Sequence, residues 1–197
     1  MEFTNDEQKF LLKTACQTIR RRLEGISSLP PVQPLNPTVL KMAGCFVSLH
    51  NGQTHVLRGC IGRIDCATPL LQALQVAAWQ AAGDPRFATN PVTLAELPSL
   101  TVELSILGML RPAPTVMDFT PQSDGIYLQA ANRAGVFLPQ VARDTGWSRE
   151  QLLDRLCAEK LGLPARAWQQ PGTRLFTFPA TIIGPAAFGA DVAPGQN

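Results

Sequence analysis

The feature that most restricts the fold is a pair of β-prone runs on either side of the dipeptide Asn51-Gly52. The first run covers 44–50 (GCFVSLH) and the second covers 53–58 (QTHVLR). Asn-Gly between two such runs is the strongest short-range signal for a β-hairpin. A two-residue turn at this dipeptide predicts three cross-strand pairs: His50 with Gln53, Ser48 with His55, and Cys45 with Arg58. The sequence therefore predicts antiparallel strand pairing.

Helical patterns lie on both sides of the hairpin. Three segments start after a capping residue: 5–23 after Thr4 (or after Asn5), 69–82 after Thr68, with Pro69 at the first helical position, and 149–160 after Ser148, which forms a capping box with Gln151. Further strands are predicted at 100–107, 125–128 and 174–178. Because helices and strands do not alternate steadily, we expect an α+β fold with an antiparallel β-sheet flanked by helices. We expect one domain over 1–183 and a flexible tail over 184–197.

The composition excludes several classes of protein. Hydrophobic residues make up 45% of the 197 residues, which is enough for a core. The 17 basic and 15 acidic residues give a charge of +2, which disfavours a dedicated nucleic-acid binder. No run of about 18 apolar residues predicts a membrane span, and the first residues lack a signal-peptide pattern. We therefore expect a cytoplasmic protein whose five cysteines are reduced thiols.

The regular spacing of Cys45, His50, His55 and Cys60 suggests a zinc site. Tetrahedral zinc needs four ligands that converge on one point. In the predicted hairpin, however, Cys45 lies on the face opposite to the one that carries His50 and His55, because alternate strand residues point to opposite faces. The sequence therefore predicts that these residues bind no metal.

The segment Leu57-Arg58-Gly59-Cys60-Ile61-Gly62 is the strongest candidate for a functional loop. Two glycines around a cysteine permit backbone torsions that other residues avoid and allow a ligand to approach the main chain. A nearby Arg58 would lower the pKa of Cys60 and favour the nucleophilic thiolate. The alternative interpretation is a tight turn that buries a small thiol.

This hexapeptide resembles the hallmark of the AMMECR family, which occurs in bacteria, archaea and eukaryotes. The resemblance extends in order from about Leu11 to Phe178. It includes 84–87 (DPRF), 96–98 (ELP), 103–107 (ELSIL), 124–126 (DGI), 137–142 (FLPQVA), 146–147 (GW), 156–157 (LC) and 160–163 (KLGL).

The resemblance implies a larger lobe built from both chain ends, with a smaller α/β lobe inserted, and places the hexapeptide beside a cleft. It also implies that the protein is one component of a three-part system, in which the other two components are a Memo-like protein and a radical SAM enzyme. The resemblance does not identify a cofactor, and the biochemical activity of the family is not settled.

Two residues are candidates for catalysis, Cys60 as the nucleophile and Glu103 as a general base. Glu103 is alternatively a structural ion-pair partner of Arg58 or Arg86. Asp84 is expected to hold the 84–87 turn through its side chain. The candidate ligand-binding residues are Arg58, Gly59, Gly62, Asp84, Arg86, which has the geometry to bind an anion as a fork, and Gln140.

Two functions remain open from these residues. The first is an enzyme, or an enzyme component, that uses Cys60 on a small anionic or amide-bearing substrate. The second is a non-catalytic module in which the glycine–cysteine loop presents backbone amides to a ligand or a protein partner.

Overall fold

A computed structural model describes residues 1–188 of the chain. Within it the chain forms two compact units. The first unit contains Met1–Leu107 and the chain from Thr181 onward, and the second contains Gly108–Ala180. The second unit is therefore an insertion in the sequence of the first.

The first unit contains two long helices and three complete strands. In chain order these are α1 (Asn5–Leu23), a 3-10 turn (Pro37–Leu40), β1 (Gly44–Asn51), β2 (Leu57–Arg63), α2 (Leu70–Ala81), two further 3-10 turns (Pro85–Phe87 and Leu94–Ser99) and β3 (Leu100–Leu107). The predicted start of α1 is confirmed, because Thr4 and Glu7 form a capping box.

The second unit consists of short elements. They are β4 (Arg111–Pro112), β5 (Asp124–Ala130), β6 (Arg133–Phe137), α3 (Pro139–Thr145), α4 (Arg149–Arg155), a π-helical turn (Leu156–Leu161), a 3-10 turn (Ala165–Gln169) and the first half of β7 (Arg174–Ala187). The predicted capping box of Ser148 and Gln151 is confirmed at the start of α4. Gly162 adopts a left-handed conformation and ends this helical stretch, as predicted.

Both units are built on antiparallel strands, which confirms the α+β class. In the first unit β1 lies between β2 and β3, and the end of β7 follows β3, where the Phe188 amide donates to the Leu100 carbonyl over 2.8 Å. In the second unit β7 pairs with both β4 and β5, and β5 also pairs with β6. The core of the first unit packs α1 and α2 against one face of the sheet, through residues such as Leu11, Ile19, Leu74, Val47, Leu49 and Leu104.

The predicted register of the hairpin is wrong. Ser48 lies opposite Cys60, and Cys45 lies opposite Arg63, so a five-residue loop replaces the two-residue turn. Asn51 is the last residue of β1, and its side-chain oxygen accepts bonds from the amides of Gln53 and Thr54. These bonds stabilise the longer loop.

Two other predicted boundaries also change. Thr68 does not cap α2, since Pro69 is the N-cap and no side chain bonds there; the Leu70 amide donates to the Lys41 carbonyl instead. The late strand β7 extends to Ala187, so residues 184–187 are not a flexible tail, while 189–197 lie outside the described residues. Within the described chain, no helix is both long and apolar enough to span a bilayer.

Candidate functional site

The predicted functional loop is a β-strand whose register with β1 shifts between Leu49 and His50. All six residues from Leu57 to Gly62 belong to β2, the first strand in the order of the described sheet. Ser48 of β1 lies directly opposite Cys60, and Leu49 lies opposite Gly59. Because directly opposite residues of a sheet share a face, Cys60 and Ser48 point to the same side.

Close packing explains why glycine flanks Cys60. A Cβ atom on Gly59 would overlap the carbonyl oxygen of Ala81 at the end of α2, and one on Gly62 would overlap Cys45 and Phe46. Neither glycine has a positive φ, so the predicted special torsions are wrong. Atoms of the chain itself fill the space that the missing side chains leave.

Asp84 and Arg86 hold the backbone of Cys60 from the outer edge of β2. The Cys60 amide donates to Asp84 Oδ2 over 2.9 Å, and Arg86 Nη2 donates to the Cys60 carbonyl over 2.7 Å. Asp84 Oδ1 also accepts from the Arg86 amide, so it caps the Pro85–Phe87 turn, as predicted. One acceptor and one donor thus take the places that a neighbouring strand would supply. We call this pair of residues the clamp.

The clamp is a tightly bonded ion pair with unequal exposure. The Asp84 side chain is fully buried, whereas that of Arg86 is 51% exposed. Burial favours a higher pKa for Asp84, but hydrogen bonds from Arg86 and from the Cys60 amide outweigh it and hold the pKa below its ordinary value. The same bonds to Asp84 raise the pKa of Arg86, and Cys60 contributes to that rise.

Arg58 is committed to a different partner. Its Nε lies 2.5 Å from Glu96 Oε1, and its Nη2 donates to the carbonyls of Asn90 and Pro91. Hydrogen bonding to Arg58 lowers the pKa of Glu96. The arginine bonded to Cys60 is therefore Arg86, and not Arg58 as the sequence suggested. Both arginines have their guanidinium carbons within 6 Å of the ring centre of Phe87.

A row of polar side chains crosses three strands at Cys60. Ser48 lies opposite Cys60 on one side and opposite Glu103 of β3 on the other, so all three residues share a face. The Ser48 hydroxyl donates to Cys60 Sγ over 3.2 Å. The sequence prediction missed Ser48 because the assumed register placed it opposite His55.

The five cysteines differ sharply in exposure. Cys16, Cys45 and Cys157 are buried, whereas Cys60 and Cys66 are half-buried. Burial raises the pKa values of the Cys16 and Cys45 thiols to about 12, although Arg20 partly offsets the rise at Cys16.

The remaining predicted residues lie elsewhere. Gln140 belongs to the second unit, in the first turn of α3, and is half-buried. A surface cavity of about 400 Å³ also belongs to that unit and is lined by the β5–β6 turn and by Pro171, Gly172 and Arg174. His55 lies in the exposed loop after β1. Across residues 1–188, no three His, Cys, Asp or Glu side chains come together as potential metal ligands.

Comparison with known proteins identifies the family. A family model described as AMMECR1 matches residues 12–183. The chain belongs to the AMMECR1 family. Protein MJ0810 of Methanocaldococcus jannaschii is 36% identical over 191 residues, which cover 91% of this chain and 90% of that protein. An AMMECR1-type protein of Methanothermobacter thermautotrophicus is 36% identical over 187 residues, with coverage of 91% and 95%.

A solved structure shares the AMMECR1 fold. The crystal structure of uncharacterized protein PH0010 from Pyrococcus horikoshii matches with a TM-score of 0.84 at 30% identity, covering 92% of this chain and 93% of that one. The names of these AMMECR1 relatives assign no activity and no partner. The function must therefore be inferred from the residues around Cys60.

Proposed function

We propose that this AMMECR1 protein is an enzyme, or the thiol-bearing component of one, in which Cys60 reacts with a small amide-bearing substrate. The supporting observation is the fixed position of a half-buried thiol. Both backbone polar groups of Cys60 are bonded to the clamp, and its Sγ accepts a bond from Ser48. Holding a reactive group in one geometry before the substrate binds lowers the entropic part of the barrier.

The charges around Cys60 favour an uncharged substrate. Arg86 is already paired with Asp84, and Arg58 with Glu96. Glu103, in the same row as Cys60, adds a carboxylate. Because the arginines are neutralised, this group of residues offers little attraction to an anion, and of the two predicted classes the amide-bearing substrate fits better. Because Arg86 is paired with Asp84, its guanidinium group is not free to bind an anion through two nitrogens.

The proposed reaction is transfer of the acyl group of the amide to the Cys60 sulfur. A lone pair of Sγ forms a bond to the amide carbonyl carbon, the thiol proton moves to the departing nitrogen, and the C–N bond breaks. The products are a thioester on Cys60 and a free amine, and water then releases the acid. Adjacent strands lie about 4.8 Å apart, so Glu103 is roughly 10 Å from Cys60 between Cα atoms. A substrate over Ser48 would therefore reach both side chains, and Glu103 would carry the proton.

Alkylation of the native protein tests the proposal. The rate of reaction of each cysteine with iodoacetamide is measured against pH by mass spectrometry. Cys66, the other half-buried thiol, serves as the internal reference. We expect Cys60 to be alkylated faster than Cys66 in the native protein, because its backbone and its sulfur are both held in place. A Cys60 that stays unlabelled until the protein is denatured would contradict the proposal.

The clamp weakens the alternative, a binding module that presents backbone amides. The Cys60 amide and carbonyl are already bonded within the chain, so neither is freely available to a ligand. A Cys60 that is alkylated no faster than Cys66, together with unchanged ligand binding by Cys60→Ala, would nevertheless favour the module.

We also propose that the protein acts in the cytoplasm with Memo-like and radical SAM proteins. Family membership is the support for this assignment. Affinity purification of the tagged chain from its own cells should recover both partners at near-stoichiometric amounts. Recovery of neither partner, under conditions that retain other known complexes, would contradict the assignment.

A further inference from the structure

We infer that Ser48 is a positioning residue that fixes the Cys60 thiol and favours its thiolate form. The inference rests on the proposed function, since it assigns a role to Ser48 in the reactivity of Cys60. It begins from the 3.2 Å hydrogen bond that the Ser48 hydroxyl donates to Cys60 Sγ.

The strand geometry brings the two side chains together. The Cys60 amide donates to Asp84, outside the β1–β2 ladder, so Ser48 and Cys60 form a pair that does not exchange backbone hydrogen bonds. Side chains of such pairs in antiparallel sheets lie closer together than those of hydrogen-bonded pairs. The clamp therefore holds the backbone of Cys60 in the arrangement that places its sulfur beside the Ser48 hydroxyl.

The hydroxyl affects the two protonation states of Cys60 differently. A thiol is a weak acceptor, whereas a thiolate carries a full negative charge, and hydrogen bonds to ionised acceptors are about twice as strong. Ser48 is only 7% exposed, so water competes little for its hydroxyl. The bond therefore strengthens when Cys60 loses its proton, which favours the thiolate.

Other charged and titratable groups lie on the elements around Cys60, and the test must separate any effect of theirs from that of Ser48. They lie on each neighbouring element: Arg58 on β2, His50 on β1, Glu103 on β3, and Asp84 and Arg86 in the clamp. Replacement of Ser48 leaves all of these groups in place and removes only an uncharged donor. Any change in the ionisation of Cys60 can then be assigned to the hydroxyl.

The position of Ser48 argues against a purely structural role. It lies in β1 between Val47 and Leu49, two core residues. Its cross-strand neighbours are Cys60 on β2, whose sulfur accepts a hydrogen bond from its hydroxyl, and Glu103 on β3. A hydrogen bond to a neutral thiol contributes little to folding. A small apolar residue would fill the same space without a hydroxyl to satisfy.

The test is the pH profile of Cys60 alkylation in Ser48→Ala. We expect the midpoint to rise by about one pH unit, because a hydrogen bond to a charged group has roughly that effect on ionisation. At pH 7 the alkylation rate should fall about tenfold, and above pH 10 it should equal the wild-type rate. Ser48→Thr, which keeps the hydroxyl, should retain the wild-type midpoint. Ser105→Ala, which removes a buried serine from the same face of β3, is the matched control and should leave the midpoint unchanged.

The outcomes separate this inference from the proposed function. If Cys60 of the wild type is alkylated faster than Cys66 and Ser48→Ala does not change its midpoint, the inference is overturned and Cys60 remains the nucleophile. A Cys60 that is unlabelled in the native wild type overturns both. If Ser48→Ala does not fold, an unchanged midpoint in Ser48→Val, which has the shape of Ser48→Thr without its hydroxyl, overturns the inference instead.

Discussion

Cys45 and Cys60 belong to neighbouring strands but lie on opposite faces of the sheet. Cys45 is 1% exposed within the core, where burial raises its pKa to about 12. Cys60 is half-buried among polar groups, with Ser48 at its sulfur and the clamp at its backbone. The same residue type is thus a core side chain on one face and a candidate nucleophile on the other. The alternation of the strand decides which role each cysteine takes.

The largest effect should come from adding a side chain at Gly59, where β2 packs against the end of α2. In Gly59→Ala the new Cβ overlaps the carbonyl oxygen of Ala81, a backbone atom that cannot rotate away. We expect a loss of about 3 kcal/mol in the free energy of unfolding, measured by urea denaturation. Gly52→Ala, whose new Cβ would lie 3.2 Å from its nearest neighbour, is the control and should lose much less. A Gly59→Ala protein of wild-type stability would show that α2 does not pack on β2 at this point.

The next largest effect should come from a change in the clamp. Asp84→Asn replaces a fully buried carboxylate that binds both the Cys60 amide and Arg86. We expect a loss of about 2 kcal/mol in the free energy of unfolding, because hydrogen bonds to charged groups are involved. Glu159→Gln, which breaks the exposed Arg155–Glu159 pair, should change stability by less than about 0.5 kcal/mol. Equal losses in the two variants would mean that the clamp behaves as an ordinary surface ion pair.

Acid should remove the contribution of the clamp. The pKa of Asp84 in the folded protein lies below its ordinary value of 3.8. The unfolded chain therefore binds the proton more readily, so the stabilisation is complete above about pH 4 and is lost as pH falls through the folded pKa. Melting temperatures between pH 6 and pH 2.5 should fall more steeply in the wild type than in Asp84→Asn. Parallel curves would contradict the assignment of this titration to Asp84.

The smallest effects compare the two thiols directly. Cys45→Ala removes a sulfur from the core and should cost about 1 kcal/mol of stability. Cys60→Ala removes a half-buried sulfur and should cost about 0.5 kcal/mol or less, while it abolishes alkylation at this position. Thermal denaturation of both variants measures the difference. If Cys60→Ala is less stable than Cys45→Ala, the view of Cys45 as the core cysteine and of Cys60 as the one free of a packing role is wrong.

Local signals predicted much of the fold because they depend on only a few neighbouring residues. The capping residue before the first helix, the capping box at Ser148 and the alternation in 100–107 each predicted an element correctly. The hairpin register depended on contacts that no local pattern contains. The amide of Gly52 donates to the Ser99 carbonyl over 2.7 Å, and Asn51 pairs with Leu100 of β3. Both residues of the predicted turn are therefore paired with the start of β3 and its preceding residue, and the chain reverses direction after them.

The candidate site could be predicted only in part for the same reason. Cys60, Asp84 and Arg86 were found from the sequence, and the structure brings these three together. Ser48 was missed because the predicted register was off by five residues on the partner strand. The actual partner of Arg58, Glu96, lies 38 positions away, and no spacing rule relates the two.

The clamp also has a consequence for association between molecules. An edge strand with free amides and carbonyls can pair with a strand of another chain and so begin aggregation. At Cys60 these groups are occupied by side chains, one of them a buried carboxylate. A strand from a second molecule would have to displace a charged pair before it could pair with β2 at this position. The two residues that orient the thiol therefore also protect the edge of the sheet against self-association.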